Sequence, residues 1–107
     1  MLKKNYEFKA VLTRGICYKG KYFNVFINKN YKNVNMLGIA VSKKAGNSVK
    51  RNKIKRLIRE NYKNFEENLN IGYNIIFLWK KQAIFEDFDF YSIKTECENL
   101  FRKAKIL

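Results

Sequence analysis

Residues 42–60 read SKKAGNSVKRNKIKRLIRE, and this stretch decides how the rest of the chain is interpreted. Gly46 and Asn47 indicate a loop, and Ser48 is a suitable N-cap for a long helix over residues 49–69. At about 100° per residue, one side of that helix is apolar; it contains Ile54, Leu57, Ile58, Tyr62 and Phe65. Asn61 falls on the apolar side, where it is either buried or at the edge. The other side is predicted to carry Arg51, Asn52, Lys55, Arg56, Arg59 and Lys63.

The positive charge of the chain is concentrated in and around this helix. Of the 107 residues, 23 are Lys or Arg and nine are Asp or Glu, and the net charge is +14. A solvated helix balanced by i,i+4 ion pairs explains this poorly, because Glu60 is the only acid in residues 49–64. A membrane-surface helix explains it poorly too, because the apolar side chains are needed for a core. The pattern favours a phosphate-binding face.

The composition excludes several kinds of chemistry. The chain has no His, so catalytic triads and zinc sites that use His are absent. Cys17 and Cys97 match no metal-binding spacing; a disulfide between them is an alternative to the preferred interpretation, two reduced structural thiols. The longest apolar run, residues 75–79, is too short to cross a membrane, and no signal peptide is readable. We therefore expect a cytoplasmic protein.

Two shorter helices are predicted near the ends of the chain. The first is expected over residues 5–14 and is ended by Gly15. The last is expected to begin at Asp87 or Asp89, and the basic residues near its C-terminus suit the helix dipole.

Three strands are predicted from the apolar pattern, over residues 21–28, 36–42 and 73–80. In the first strand, strict alternation places Tyr22 and Phe26 on one face, opposite Phe23, Val25 and Ile27. The second strand leaves one face nearly bare, because that face carries only Gly38, Ala40 and Ser42. The third strand is apolar on both faces and is expected in the middle of the sheet.

These elements predict an α/β (α+β) sandwich. The expected order is α-β-β-α-β-α with a β-α-β crossover in the middle, in a single domain over residues 1–107 with one helix-covered sheet face.

Residues 42–60 closely resemble the signature of the bacterial ribonuclease P protein subunit. The core of that signature is Arg-Asn-Arg/Lys, an apolar residue, Lys-Arg, two residues and then Arg, and residues 51–59 match it. The similarity extends over nearly the whole chain, at Leu2, Phe8, Val11, Gly15, Gly38, Val41 and Leu100-Phe101-Arg102-Lys103.

The resemblance implies a protein subunit that assists a catalytic RNA, with a left-handed β-α-β crossover. In that family the RNA and its Mg²⁺ ions hydrolyse a phosphodiester of precursor tRNA, which removes the 5′ leader. The implied partners are this RNA and precursor tRNA, without a membrane or an obligate protein partner, and no catalytic or metal-binding residue is expected on this chain. The residues implied to contact the RNA subunit are Lys43, Lys44, Arg51, Asn52, Lys53, Lys55, Arg56 and Arg59.

The same resemblance assigns the single-stranded leader to a cleft between the first helix and the sheet. Aromatic side chains would stack on its bases, which tolerates any sequence, and lysines would neighbour its phosphates. The expected leader-contacting residues are Phe8, Lys9, Leu12, Lys21, Tyr22, Phe26 and Lys80. Ordinary core packing is the alternative for Phe8 and Phe26, and a general RNA-binding or ribosome-associated protein is the alternative function.

Overall fold

The computed structural model describes residues 5–80 and 89–107. The elements follow in this order: helix α1 (Asn5–Arg14), strands β1 (Ile16–Lys19), β2 (Phe23–Lys29) and β3 (Met36–Ala40), a short 3-10 turn (Lys43–Ala45), helix α2 (Ser48–Glu66), strand β4 (Tyr73–Trp79) and helix α3 (Phe90–Lys103). The three predicted helices and three predicted strands are confirmed. Strand β1 is an addition, because its four mostly exposed residues carry no alternating apolar pattern.

The four strands form one mixed sheet in the order β1-β2-β4-β3. Strand β2 is antiparallel to β1 and β4, whereas β3 is parallel to β4, so β3, α2 and β4 form the predicted β-α-β unit. Paired residues of neighbouring strands lie on the same face of a sheet. One row across the sheet therefore contains Cys17, Phe26, Ile76 and Gly38, and the next contains Lys19, Asn24, Leu78 and Ala40.

The main core lies on the sheet face that α2 and α3 cover. The centre of this core is Phe77 of β4, whose ring centroid is 5.2 Å from that of Phe23, 6.4 Å from that of Tyr62 and 5.9 Å from that of Phe101. The Tyr62 and Phe101 rings meet Phe77 edge to face, a favourable arrangement for aromatic pairs. The buried side chains of α2 and α3 around them include Ile54, Ile58, Phe65, Ile93, Cys97 and Leu100. The apolar side of α2 is thus the side predicted from its periodicity.

Asn61 is fully buried between α2 and α3. Its amide nitrogen donates hydrogen bonds to the carbonyl oxygens of Leu57 at 3.0 Å and Phe90 at 3.3 Å. Because a buried amide without hydrogen bonds destabilises the folded state, both bonds favour this placement. Asn61 is therefore an interior residue that links the first turn of α3 to α2.

Helix α1 crosses the opposite face of the sheet, so the expectation of a single helix-covered face was wrong. Val11 and Ile76 are buried between α1 and the sheet, and Phe8, Phe26 and Met36 are half-buried around them. The helix covers only part of this face. Asn24, Leu78 and Ala40 in the neighbouring row stay half-exposed beside it.

The ends of α2 differ from the prediction. The N-cap is Asn47 rather than Ser48, because the side-chain oxygen of Asn47 accepts the Lys50 backbone N–H at 3.0 Å. The helix ends at Glu66, and Leu69, predicted to be its last residue, follows the helix and is buried in the main core.

The N-cap of α3 is Asp89, one of its two predicted starting residues. The Asp89 carboxylate accepts the Ser92 backbone N–H at 2.8 Å, and the Ser92 hydroxyl oxygen accepts the Asp89 backbone N–H at 2.8 Å. This reciprocal capping box lowers the pKa of Asp89, chiefly because the Ser92 N–H stabilises the carboxylate. Asp87, the other predicted start, lies outside the described residues.

Candidate nucleic-acid interface

The basic face of α2, defined as Arg51, Asn52, Lys55, Arg56, Arg59 and Lys63, lies on the solvent side of that helix. Asn52, Arg56, Arg59 and Lys63 are exposed, whereas Arg51 and Lys55 are half-buried because they border the buried side. Lys53 is also exposed, but it lies outside this arc, on the far side of the helix. Sequence periodicity therefore correctly placed Asn52, Arg56, Arg59 and Lys63 in solvent, whereas Arg51 and Lys55 are partly withdrawn from it.

The Arg56–Glu60 ion pair of the basic face is weak. The Arg56 side chain is 66% exposed, and its Nε lies 4.0 Å from Oε1 of Glu60. The Arg51 guanidinium donates a hydrogen bond from Nη2 to the Ser48 hydroxyl at 3.3 Å. An exposed pair with this geometry contributes little free energy. The Arg56 guanidinium can therefore bind a phosphate without first losing a strong contact.

Lys43 and Lys44 are exposed just before the N-terminus of α2. Their 3-10 turn is held by Ser42, whose hydroxyl oxygen accepts the Lys44 backbone N–H at 3.2 Å. Gly46 follows with φ of 145°, a backbone conformation that residues other than Gly rarely adopt. The turn thereby places two ammonium groups near the positive end of the α2 dipole, where anions are stabilised.

A second surface, the open sheet face, lies beside α1 and consists of Cys17, Asn24, Phe26, Ala40 and Leu78. The Phe26 ring is at its centre, half-exposed next to buried Ile76. Phe8 lies at its border with α1. Cys17, Asn24 and Leu78 were absent from the expected site, because only the strand register reveals that they neighbour Phe26.

The structure brings together some of the expected leader-contacting residues and separates others. Phe8 and Phe26 belong to one cluster under α1. Leu12 is 36% exposed, and Lys9 is exposed on a surface that it shares with Tyr6 and Thr13. Lys80 is half-buried just after β4.

Tyr22 does not lie on the open sheet face, so the expectation that it shares a face with Phe26 was wrong. It is 7% exposed in the main core, and its ring stacks on Trp79 with centroids 6.0 Å apart. Lys21 is exposed, with its ammonium 5.2 Å from the centroid of the Tyr22 ring, and it faces a groove against α3.

Glu96 of α3 explains why the residues just before β2 do not follow the alternating pattern of that strand. Its carboxylate accepts backbone N–H groups of Lys21, of Tyr22 at 2.9 Å and of Phe23 at 3.2 Å. These bonds fix the turn against α3. The alternating pattern therefore begins at Phe23, the first residue of β2, and Tyr22 turns to the main core.

Both cysteines are free. Cys97 is buried in the main core, where burial and the nearby charge of Glu96 raise the pKa of its thiol. Cys17 is exposed on the open sheet face, so of the two thiols only Cys97 has the structural role that was expected.

Within residues 5–80 and 89–107, no three His, Cys, Asp or Glu side chains are close enough together to hold a metal ion. In the same part of the chain, no helix combines the length and apolar character needed to cross a membrane.

A four-stranded sheet with helices on both faces and one exposed cationic helix defines a class of small, basic α/β proteins suited to contact nucleic acid. Comparisons with known proteins identify the member of that class. The family model for ribonuclease P matches residues 1–105. The chain belongs to the ribonuclease P protein family. It is the protein subunit of a ribonucleoprotein endoribonuclease, ribonuclease P, that acts in tRNA processing.

Individual relatives support this membership over nearly the whole chain. The ribonuclease P protein component of Clostridium botulinum strain Langeland is 42% identical over 106 residues, which cover 98% of this chain and 94% of the relative. That of Natranaerobius thermophilus is 41% identical, with 99% and 90% covered.

Solved structures show the same fold. The RNase P protein from Staphylococcus aureus is 35% identical and superimposes with a TM-score of 0.86, covering 98% of this chain and 94% of that one. The RNase P protein from Thermotoga maritima is 29% identical with a TM-score of 0.87, covering 95% and 94%.

Proposed function

We propose that the basic face of α2, together with Lys43, Lys44 and Lys53, binds the ribonuclease P RNA. The observation that carries this proposal is the excess of positive over negative charge in this part of the chain. In residues 48–64 the only carboxylate is Glu60, and it forms one exposed contact of 4.0 Å with Arg56. Arg binds phosphate through two parallel hydrogen bonds, and Lys adds a compact charge. RNA phosphates supply the anions that this face lacks within its own helix.

In this proposal the 5′ leader of precursor tRNA lies across the open sheet face. Phe26 and Phe8 offer aromatic surface for stacking, and Ala40 is small enough to let a strand approach the sheet. Stacking contributes about 1–3 kcal/mol per base and accepts any base. Such a surface suits leaders of varied sequence. Lys9, Leu12 and Lys80 border the proposed path, whereas Lys21 and Tyr22 are not part of it because they lie toward α3.

We place the chemistry in the RNA subunit, which would hydrolyse the phosphodiester that joins the leader to the mature 5′ end. Several carboxylates of this chain already have structural partners. Asp89 caps α3, Glu96 accepts three backbone N–H groups, and Glu98 forms a 3.1 Å ion pair with Arg102. The chain also has no His to transfer protons near neutral pH.

Mg²⁺ is the metal ion of the proposed complex. It prefers oxygen ligands from carboxylates, phosphates and water. The RNA and the substrate phosphates, which are rich in such oxygens, would hold the ion. Free thiols such as Cys17 and Cys97 are typical of the cytoplasm, which is the compartment we propose.

The test is reconstitution of the full chain with a bacterial ribonuclease P RNA and a series of precursor tRNAs with progressively shortened leaders. The protein should raise affinity for long-leader precursors over leaderless tRNA. Phe26→Ala should reduce that preference by roughly fivefold to a hundredfold, the equivalent of one stacked base. Tyr31→Ala is the control, because Tyr31 is 91% exposed in the loop before β3. Equal weakening of all precursors by a folded Phe26→Ala protein would contradict the leader assignment.

A further inference from the structure

A small groove lies between the C-terminal half of α2 and the start of β3. Its volume is about 240 Å³, and it is lined by Asn35, Leu37, Arg59, Tyr62, Lys63 and Glu66. We propose that this groove binds one unpaired base of the ribonuclease P RNA, preferentially a base that exposes N–H donors. This inference rests on the proposed binding of that RNA by α2.

The floor of the groove is apolar and preformed. Leu37 is half-buried, and Tyr62 is 4% exposed beside Asn35. Asn35 is fixed in turn, because its side-chain oxygen accepts the Tyr73 backbone N–H at 2.9 Å and its amide nitrogen donates to the Asn70 carbonyl oxygen at 3.0 Å. The volume is below the roughly 300–1,000 Å³ of pockets for drug-sized ligands. The size of the groove therefore suits a single base rather than a larger ligand, and Asn35 at its edge is already held in place.

The cations at the rim suit the phosphates of a nucleotide. Arg59 and Lys63 are four residues apart on α2, so they lie on the same side of the helix, and both are exposed. They form the C-terminal end of the basic face of α2. A base lying on Leu37 and Tyr62 would leave its flanking phosphates near Arg59 and Lys63.

Glu66 supplies the selectivity. A carboxylate next to RNA phosphates is unfavourable in Coulomb terms, so attraction to the RNA backbone does not explain its place at this rim. A carboxylate is, however, a good acceptor for the N–H groups at the edges of bases. Guanine, adenine and cytosine expose such groups, and guanine exposes two side by side. Uracil exposes only the N3–H, which lies between two carbonyl oxygens that a carboxylate would repel, so it is disfavoured.

The test compares Glu66→Gln with Glu67→Gln in the full chain, reconstituted with a bacterial ribonuclease P RNA. Both carboxylates are exposed near the end of α2, and both variants remove one negative charge. Reagents that modify the base-pairing edges of unpaired bases measure protection at each position. We expect one unpaired base to be protected equally by the native chain and by Glu67→Gln. Protection of that base alone should fall at least threefold with Glu66→Gln.

Two other outcomes overturn the inference in distinguishable ways. If RNA binding depends on salt and on the basic face of α2, but no base loses protection specifically with Glu66→Gln, the base-binding groove is wrong and the proposed function of α2 stands. If mutation of the basic face leaves RNA binding and its salt dependence unchanged, the proposed function fails and the groove fails with it. Thermal unfolding of both Glu variants verifies that they are folded.

Discussion

The aromatic ring of Phe8 on α1 lies directly against Gly38 in β3. A Cβ atom at Gly38 would be 2.9 Å from ring atoms Cε1 and Cζ of Phe8, closer than carbon atoms pack, and 3.2 Å from Cγ1 of Ile76. Gly38 thus permits α1 to pack closely over the sheet. The sequence suggested that bare space opposite the core would admit RNA, but at Gly38 the Phe8 ring fills that space. The unfilled part begins one row further along, at Ala40, Leu78 and Asn24.

We predict that Gly38→Ala destabilises the fold by about 1–3 kcal/mol, as overpacking of a fitted contact does. The penalty should be smaller when Phe8 is replaced by Ala, because the ring that the new methyl group meets is then absent. Urea unfolding of the native chain, both single variants and the double variant forms the double-mutant cycle. If Gly38→Ala lowers the free energy of unfolding equally with and without the Phe8 ring, contact with that ring is not the cause of the destabilisation.

A second prediction tests whether RNA binding depends on the position of the positive charges on α2 or only on the total positive charge of the chain. Arg56→Ala should weaken binding to the ribonuclease P RNA and reduce the slope of log affinity against log salt by about one unit, because one phosphate contact is lost. Arg102→Ala is the matched control: Arg102 is 63% exposed and pairs with Glu98 four residues away, as Arg56, 66% exposed, pairs with Glu60. Equal slopes for the two variants would mean that binding depends only on the total charge of the chain.

The basic face of α2 could be predicted from sequence because it depends on local periodicity alone. Arg51, Arg56 and Arg59 follow from the 3.6-residue repeat of a helix whose apolar side must be buried. The burial of Asn61 could not be predicted in the same way. Its burial depends on a hydrogen bond to Phe90, which is 29 residues away in the chain.

The open sheet face could be predicted only in part, because some of its residues come together only through contacts between distant parts of the chain. Phe26 follows from alternation within one strand, whereas its neighbours Cys17 and Leu78 follow from pairing between strands that sequence does not specify. Tyr22 was misplaced because alternation was extended past the first residue of β2. The Glu96 carboxylate, 74 residues away from Tyr22, decides the conformation of that turn.

A third prediction concerns acid stability. The pKa of Asp89 in the folded chain lies below its ordinary value of 3.8, because the carboxylate accepts the Ser92 N–H. A group with a lowered folded-state pKa stabilises the fold above its unfolded-state pKa, and that stabilisation is lost as the pH falls through the folded-state pKa. Asp89→Asn keeps an N-cap acceptor that does not titrate. The native chain should therefore lose stability relative to Asp89→Asn as the pH falls below about 4.

The measurement is chemical unfolding of both proteins between pH 5 and the acid limit of folding. Other carboxylates titrate in both proteins, so the difference between them isolates Asp89. A constant difference over the whole range would contradict the role of the ionised carboxylate in capping α3.

The last prediction uses the two cysteines as reporters of the leader path. Cys17 is exposed on the open sheet face, in the same row as Phe26, whereas Cys97 is buried and burial raises the pKa of its thiol. A small neutral alkylating reagent should therefore modify Cys17 and leave Cys97 unreacted in the folded chain, because alkylation needs an accessible thiolate. In the complex with ribonuclease P RNA, a long-leader precursor that resists cleavage should slow modification of Cys17 severalfold, because the leader covers it. Leaderless tRNA should leave that rate unchanged. If both tRNAs slow the reaction equally, the body of the tRNA or a change in the protein protects Cys17, and the leader does not cross the open sheet face.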